Sequence, residues 1–403
     1  MENELLKTCN DVIQDYWKVH SSERSVFGLE SRMRLSGKGN EYPGWPDEMV
    51  KRVIDINYQF QHEQLLSDFQ VYEFENSKLN HVQGRDNITS YTFDNKTGYL
   101  MDQSDKSQCI NYVLNHLPSL PKSKGIIVMM KGDTFETLRY YSLQNKIDTL
   151  DFTLMNFANS VEAGGGFLDG MTAQEEIICL RSTFMNSLTK AHEFMIDNME
   201  HRKCPIEHYE KHIHMNRAVF TPYIYVYGMC KNNQVFLNQQ ESNKCLTSGI
   251  SVASIDLRYE SMWRQVNEKN RHTFLSFETL VPKSWLQWVQ ILWDTTFLTA
   301  IKHHKKHIII GPIGCGAFVP NATDKVGNPL FTNASHYRET MAHILAHKLV
   351  QYRPFFDTII YNDFRNANWE IFKRVITSIV KDVQVNNNTE DANQKAYFAM
   401  KKK

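Results

Sequence analysis

The sequence is short of what marks the commonest functional classes. Its seven cysteines include no Cys-x-x-Cys pair, so neither a disulfide framework nor a zinc knuckle is predicted. Lys+Arg and Asp+Glu each number 45 and cancel. That removes any global field for drawing in nucleic acid or an anionic membrane. No apolar run approaches the ~18 residues that a bilayer span needs. The opening MENELLKTCNDVIQDYW has acids where a secretory leader has positive charge. The expectation is a cytoplasmic protein, or one secreted into a host cell by a route that reads other signals. No glycine cluster is followed by Lys-Ser/Thr, and none has the strand–turn–helix context of the GxGxxG fingerprint. His343 and His347 stand four apart, but the HExxH glutamate and a third ligand are missing. No metal and no cofactor is expected.

What is present suits a large globular chain. An apolar fraction of 42% over 403 residues allows a sizeable core, in one elaborated domain or two. Apolar positions Met49, Val53, Ile56 and Phe60 recur on one face of a helix predicted after Pro46. Residues 1–100 read as an N-terminal helical accessory region. From Gly125 strands and helices alternate. GIIVMM is a strand, and GDTFETLRYYSLQ is a helix capped by Asp133 or Thr134. FTLMNFA is a strand, and QEEIICLRSTFMNSL (174–188) reads as one helix. Lys190 to Arg217 reads as an inserted helical segment. Further strands are AVFTPYIYVYGM, GISVASIDL, IIIG and FDTIIYND, with helices between and after them. This alternation predicts an α/β domain over 101–385, a central mixed sheet flanked by helices, with a polar tail at 386–403.

Ligands in such folds bind beyond the carboxyl ends of the strands. Two glycine clusters fall there: Gly164-Gly165-Gly166, after FTLMNFA, and GPIGCGAF (311–318), after IIIG. Glycine lets a ligand approach the backbone and leaves several N–H groups to point at one anion. Phe318 adds an apolar wall. Gln174-Glu175-Glu176 open a helix just after the first cluster. Acids complement a helix N-terminus in any protein. Beside a bound diphosphate, however, a glutamate is pushed toward holding its proton, which general acid/base chemistry requires. Adjacent helical residues diverge by about 100°, so one acid is expected to do chemistry while the other positions.

The run LMNFANSVEAGGGFLDGMTAQEE, followed later by GCGAF, resembles the signature of the microbial-type poly(ADP-ribose) glycohydrolases of the macrodomain superfamily. GDTFETLRYY resembles that family's upstream strand–helix unit. The resemblance implies a macrodomain-like fold and hydrolysis of the glycosidic bond of ADP-ribose, in poly(ADP-ribose) or attached to protein. It implies Glu176 as the catalytic acid, with Glu175 holding the ribose or the linkage and Asn159 orienting the distal ribose. Gly164, Gly165 and Gly166, with Gly314, Cys315 and Gly316, would embrace the diphosphate. Gln174, Ala317 and Phe318 complete the implied substrate site. The partners are ADP-ribosylated protein or the polymer, with ADP-ribose as product, and neither direct nucleic acid nor membrane. Two neighbouring readings are a mono-ADP-ribosyl-protein hydrolase of bacterial-effector type and a non-catalytic ADP-ribose reader. Tyr225 and Tyr227 are weighed as adenine-stacking groups against buried strand tyrosines, and the buried role is favoured.

Overall fold

The apolar runs become the strands of one large sheet because both of its faces are covered. In the computed structural model, residues 1–20, 26–28, 47–75, 78–83, 91–92, 125–171, 173–198, 216–231, 234–237, 245–254, 274–275, 279–280, 283–316, 318–319, 334–363 and 366–386 are described. The chain begins with α1 (Glu2–Val19), β1 (Val26–Gly28), α2 (Asp47–Gln59), β2 (Gln70–Glu75), β3 (Lys78–Gln83) and β4 (Tyr91–Thr92). It continues with β5 (Ile126–Lys131), α3 (Thr134–Asn145), β6 (Phe152–Phe157), α4 (Gln174–Leu180) and α5 (Phe184–Asn198). Next come β7 (Arg217–Val226), β8 (Gly228–Lys231), β9 (Gln234–Leu237), β10 (Cys245–Val252), β11 (Phe274–Leu275) and β12 (Thr279–Leu280). The last part holds α6 (Lys283–Lys302), β13 (His307–Ile310), α7 (Ala334–Tyr352), β14 (Thr358–Asp363), α8 (Asn366–Ile379) and β15 (Gln384–Asn386).

The main sheet runs β15-β5-β14-β13-β6-β10-β7-β2-β3-β4. Pairings from β15 to β10 are parallel. Those from β10 onward are antiparallel. Side chains alternate along the parallel strands, so Ile308 and Ile310 enter one core with α6, α7 and α8. Ile309 enters the other, with α1, α2, α3 and α4. The run Ile308–Ile310 is therefore apolar throughout, as a strand buried on both faces requires. Met49, Val53, Ile56 and Phe60 are all fully buried along α2, as the spacing predicts. No helix among the described residues is long and apolar enough to cross a membrane.

Three differences from the sequence reading matter. The sheet takes in β2, β3 and β4, so it extends into residues 1–100, read there as helical and accessory. The half-polar runs QVYEFE and KLNHVQ form its antiparallel end. The helix read over 174–188 is broken in two. Ser182 forms a β-bridge with Val226, the Arg181 carbonyl accepts from Tyr227 and Gly228, and Thr183 N–H donates to Tyr225 O. Three residues thus leave helical geometry to pair with β7, and the Arg181 guanidinium reaches Asp133 at 2.9 Å. Finally, α5 ends at Asn198, while most of the segment read as an inserted helix, and the polar tail from 387, lie outside the described residues.

Candidate active site

The parallel order sets carboxyl ends of β5, β14, β13 and β6 side by side. A cleft opens above them, walled by Phe135, Phe157, Ile177, Ile313 and Phe318, with backbone from 132–134 and 312–316 along its floor and rim. Gln174 fixes α4 to this edge. Its Oε1 accepts from Phe157 N–H at 2.9 Å, and its Nε2 donates to Met155 O at 2.8 Å. A side chain has thereby extended the hydrogen bonding of β6 into the helix start. Ala173, Gln174, Ile177 and Ile178 line the cleft. Glu175 and Glu176 occupy the flank of the same helical turn, outside that lining and beneath the triglycine loop.

Both acids are buried, Glu175 at 2% exposed and Glu176 at 7%. Glu175 is held on both oxygens. Asn156 Nδ2 donates to Oε1 at 3.1 Å and Asn159 N–H donates to Oε2 at 2.6 Å. Glu176 is held on one. Gly166 N–H donates to its Oε1 at 3.0 Å, while Oε2 is buried without a hydrogen-bond partner among the described residues. The two glutamates thus differ: one is bonded on both oxygens, and the other on one.

The glycines do this work through their backbone. Gly164 and Gly165 have φ of 75° and 59°, the left-handed region that favours glycine. A Cβ on Gly165 would lie 2.6 Å from Glu176 Oε1 and 3.0 Å from Glu175 Oε2. In the structure, two of the amides that the resemblance turns toward a diphosphate are bonded within the protein. Gly166 N–H donates to Glu176 Oε1 at 3.0 Å, and Gly165 N–H to Glu162 O at 3.1 Å. Gly166 faces Glu176 because the loop folds back over α4.

The second cluster also splits. Gly314 has φ of 74° and lines the cleft with Gly316 and the half-buried Phe318. Cys315 does not belong with them. Its side chain is buried in the core, burial pushes its thiol far up, and its N–H closes the turn onto Pro312 O. Ala317 lies outside the described residues. Asn159 acts through its backbone on Glu175, while its Oδ1 accepts from Val161 and Glu162 N–H and shapes the loop. Tyr225 and Tyr227 are buried in the core with α1 and α2 and bond to Asn10 and Asn57, away from the cleft. Asn156 was missed. Its signal was a lone amide inside the apolar run FTLMNF.

Residues 70–228 match the family described as microbial-type PARG, catalytic domain, where PARG denotes poly(ADP-ribose) glycohydrolase. This stretch is similar to that family. It carries the triglycine and the Gln-Glu-Glu run, while the second glycine loop lies beyond it. The chain is also similar to solved structures of bacterial PARGs. One from Deinococcus radiodurans with ADP-ribose is 14% identical, covering 68% of this chain and 92% of that one, with a TM-score of 0.43. One from Thermomonospora curvata is 12% identical, covering 82% and 98%, with a TM-score of 0.45. No curated protein matches the chain.

Around the two acids, electrostatics follow from the burial. Desolvation pushes Glu175 up to about 8, with the nearby Glu176 adding to it, against the lowering effect of its amide donors. Burial also raises Glu176, and backbone amides, its own and that of Gly166 foremost, oppose this. The folded domain therefore holds the Glu175 proton between about pH 4.5 and 8, where an unfolded chain has released it. Stability must fall as pH rises through that window, because folding there binds protons. Thermal melts from pH 5 to 8 are expected to show a declining Tm that is flatter in Glu175→Gln. An equal slope in both proteins would contradict the assignment.

Proposed function

We propose that the domain hydrolyses the glycosidic bond that links ADP-ribose in poly(ADP-ribose) or to protein, releasing ADP-ribose. The supporting observation is the asymmetry of the acid pair. Glu176 has one oxygen oriented by a backbone amide and the other unpartnered, and its raised pKa favours the proton-bearing form. In this reading Glu176 gives its proton to the leaving oxygen as the bond from that oxygen to the anomeric carbon breaks. The carboxylate then takes a proton from the water that adds to that carbon, which restores the acid. Glu175, clamped by Asn156 and Asn159, positions the sugar. The cleft beside Gln174 takes the rest of the nucleotide, so binding far from the reacting carbon contributes to the rate. No protein group in this sequence of steps requires a metal.

The test is the release of free ADP-ribose over time from poly(ADP-ribosyl)ated and mono(ADP-ribosyl)ated protein. Release from the polymer at the higher kcat/KM supports the reading. Release from the single-unit substrate alone moves it to a protein-linked hydrolase. Binding of ADP-ribose with no release from either makes the domain a reader.

A further inference from the structure

The cleft contains a buried polar side chain that the proposed chemistry leaves unexplained. Asn368, in the first turn of α8, lines the cleft and is 2% exposed. Its Oδ1 has no hydrogen-bond partner among the described residues. A buried amide oxygen left so is costly unless something that binds there completes it. Two other polar side chains of the lining, Asp133 and Asn362, are already engaged. Asp133 accepts from Phe135 and Glu136 N–H and meets Arg181. Asn362 Nδ2 donates to Gly132 O at 3.3 Å.

The sheet order says which part of a ligand meets Asn368. The acids follow β6, the second glycine loop follows β13, and Asn368 follows β14, the next strand over. A ligand with its sugar at the acids and its diphosphate over the central loop extends its far end across β14. Phe135, which follows the neighbouring strand β5, lines the same cleft as an apolar surface for a flat ring, with the Asn368 amide to address the ring's edge. An asparagine amide can accept from the amino group of adenine and donate to the adjacent ring nitrogen.

Resting on the ADP-ribose reading of the cleft, we infer that Asn368 is the specificity-determining residue for the base, accepting a hydrogen bond from the 6-amino group of adenine. The test compares binding of ADP-ribose with that of its analogue carrying unsubstituted purine in place of adenine, by calorimetry on the full chain. The unaltered protein is expected to prefer ADP-ribose by about tenfold, the scale of one hydrogen bond. Asn368→Leu removes the unsatisfied amide, so the ligand-free variant is expected to remain folded while the preference falls to near unity. Asn368→Ala provides the same comparison with a smaller side chain. A tenfold preference that survives in either variant overturns the inference, as does an unaltered protein that binds both ligands equally. Failure of the unaltered protein to bind either ligand removes the cleft reading and this inference with it.

Discussion

Glu176→Gln is expected to lower kcat for ADP-ribose release by ~100-fold or more, the usual scale for removing a general acid/base group, while ADP-ribose affinity stays near that of the unaltered protein. Glutamine has the shape of glutamate and retains an oxygen to accept from Gly166 N–H. The loop over α4 therefore has no reason to move. What disappears is the transferable proton at the second oxygen, which is unpartnered in the structure. Single-turnover release with calorimetry alongside separates the two effects. Near-normal kcat would sink the role given to Glu176, and a loss of affinity alone would make it a binding group.

Gly165→Ala is expected to be at least as damaging without touching a carboxylate. The backbone there is left-handed, at φ 59°, which costs an alanine about 1–2 kcal/mol. The new methyl also falls within 3.0 Å of an oxygen on each glutamate. Neither acid can retreat freely. Glu175 is bonded to Asn156 and Asn159, Glu176 to Gly166, and both stand on a helix tied to β6 by Gln174. A displacement of about 1 Å at a reacting group costs on the order of 100-fold, so kcat/KM is expected to fall by that much or more. Melting curves measured beside the kinetics separate strain from displacement. A folded variant with unchanged kcat would show that the triglycine is a turn and nothing further.

The parallel strands were legible because burial on both faces writes an unbroken apolar run such as GIIVMM or FTLMNF. The Asp133 cap was legible too, since its side chain does accept from the N–H groups of Phe135 and Glu136. The break after Leu180 was not. The sequence there has good helical spacing, and Ser182 leaves the helix to pair with Val226, a contact between segments distant in the chain. The same holds for β2 and β3, whose half-polar composition suits the antiparallel end of a sheet but also suits a loop. For the site, residue types and order pointed to the start of α4, which the structure sets against the triglycine loop. The direction of each glycine amide was beyond reach, because it depends on the loop folding back over α4. Asn368 carried no motif, and only its burial in the cleft distinguishes it from other asparagines.

The order of strands also bears on how the chain is made. The two sheet neighbours of β5 are β14 and β15, and the gap between β5 and β6 is filled by β13 and β14. All of the missing pieces lie in the last quarter of the chain. During synthesis from the N-terminal end, β5 has no strand to pair with until residues 358–386 emerge, and the two halves of the cleft cannot meet before then. Pairings this remote in sequence are slow to form and leave apolar edges open meanwhile. A nascent or truncated chain that stops before β14 therefore has a sticky, half-built sheet and no complete nucleotide cleft. The cleft is complete only with the final strands.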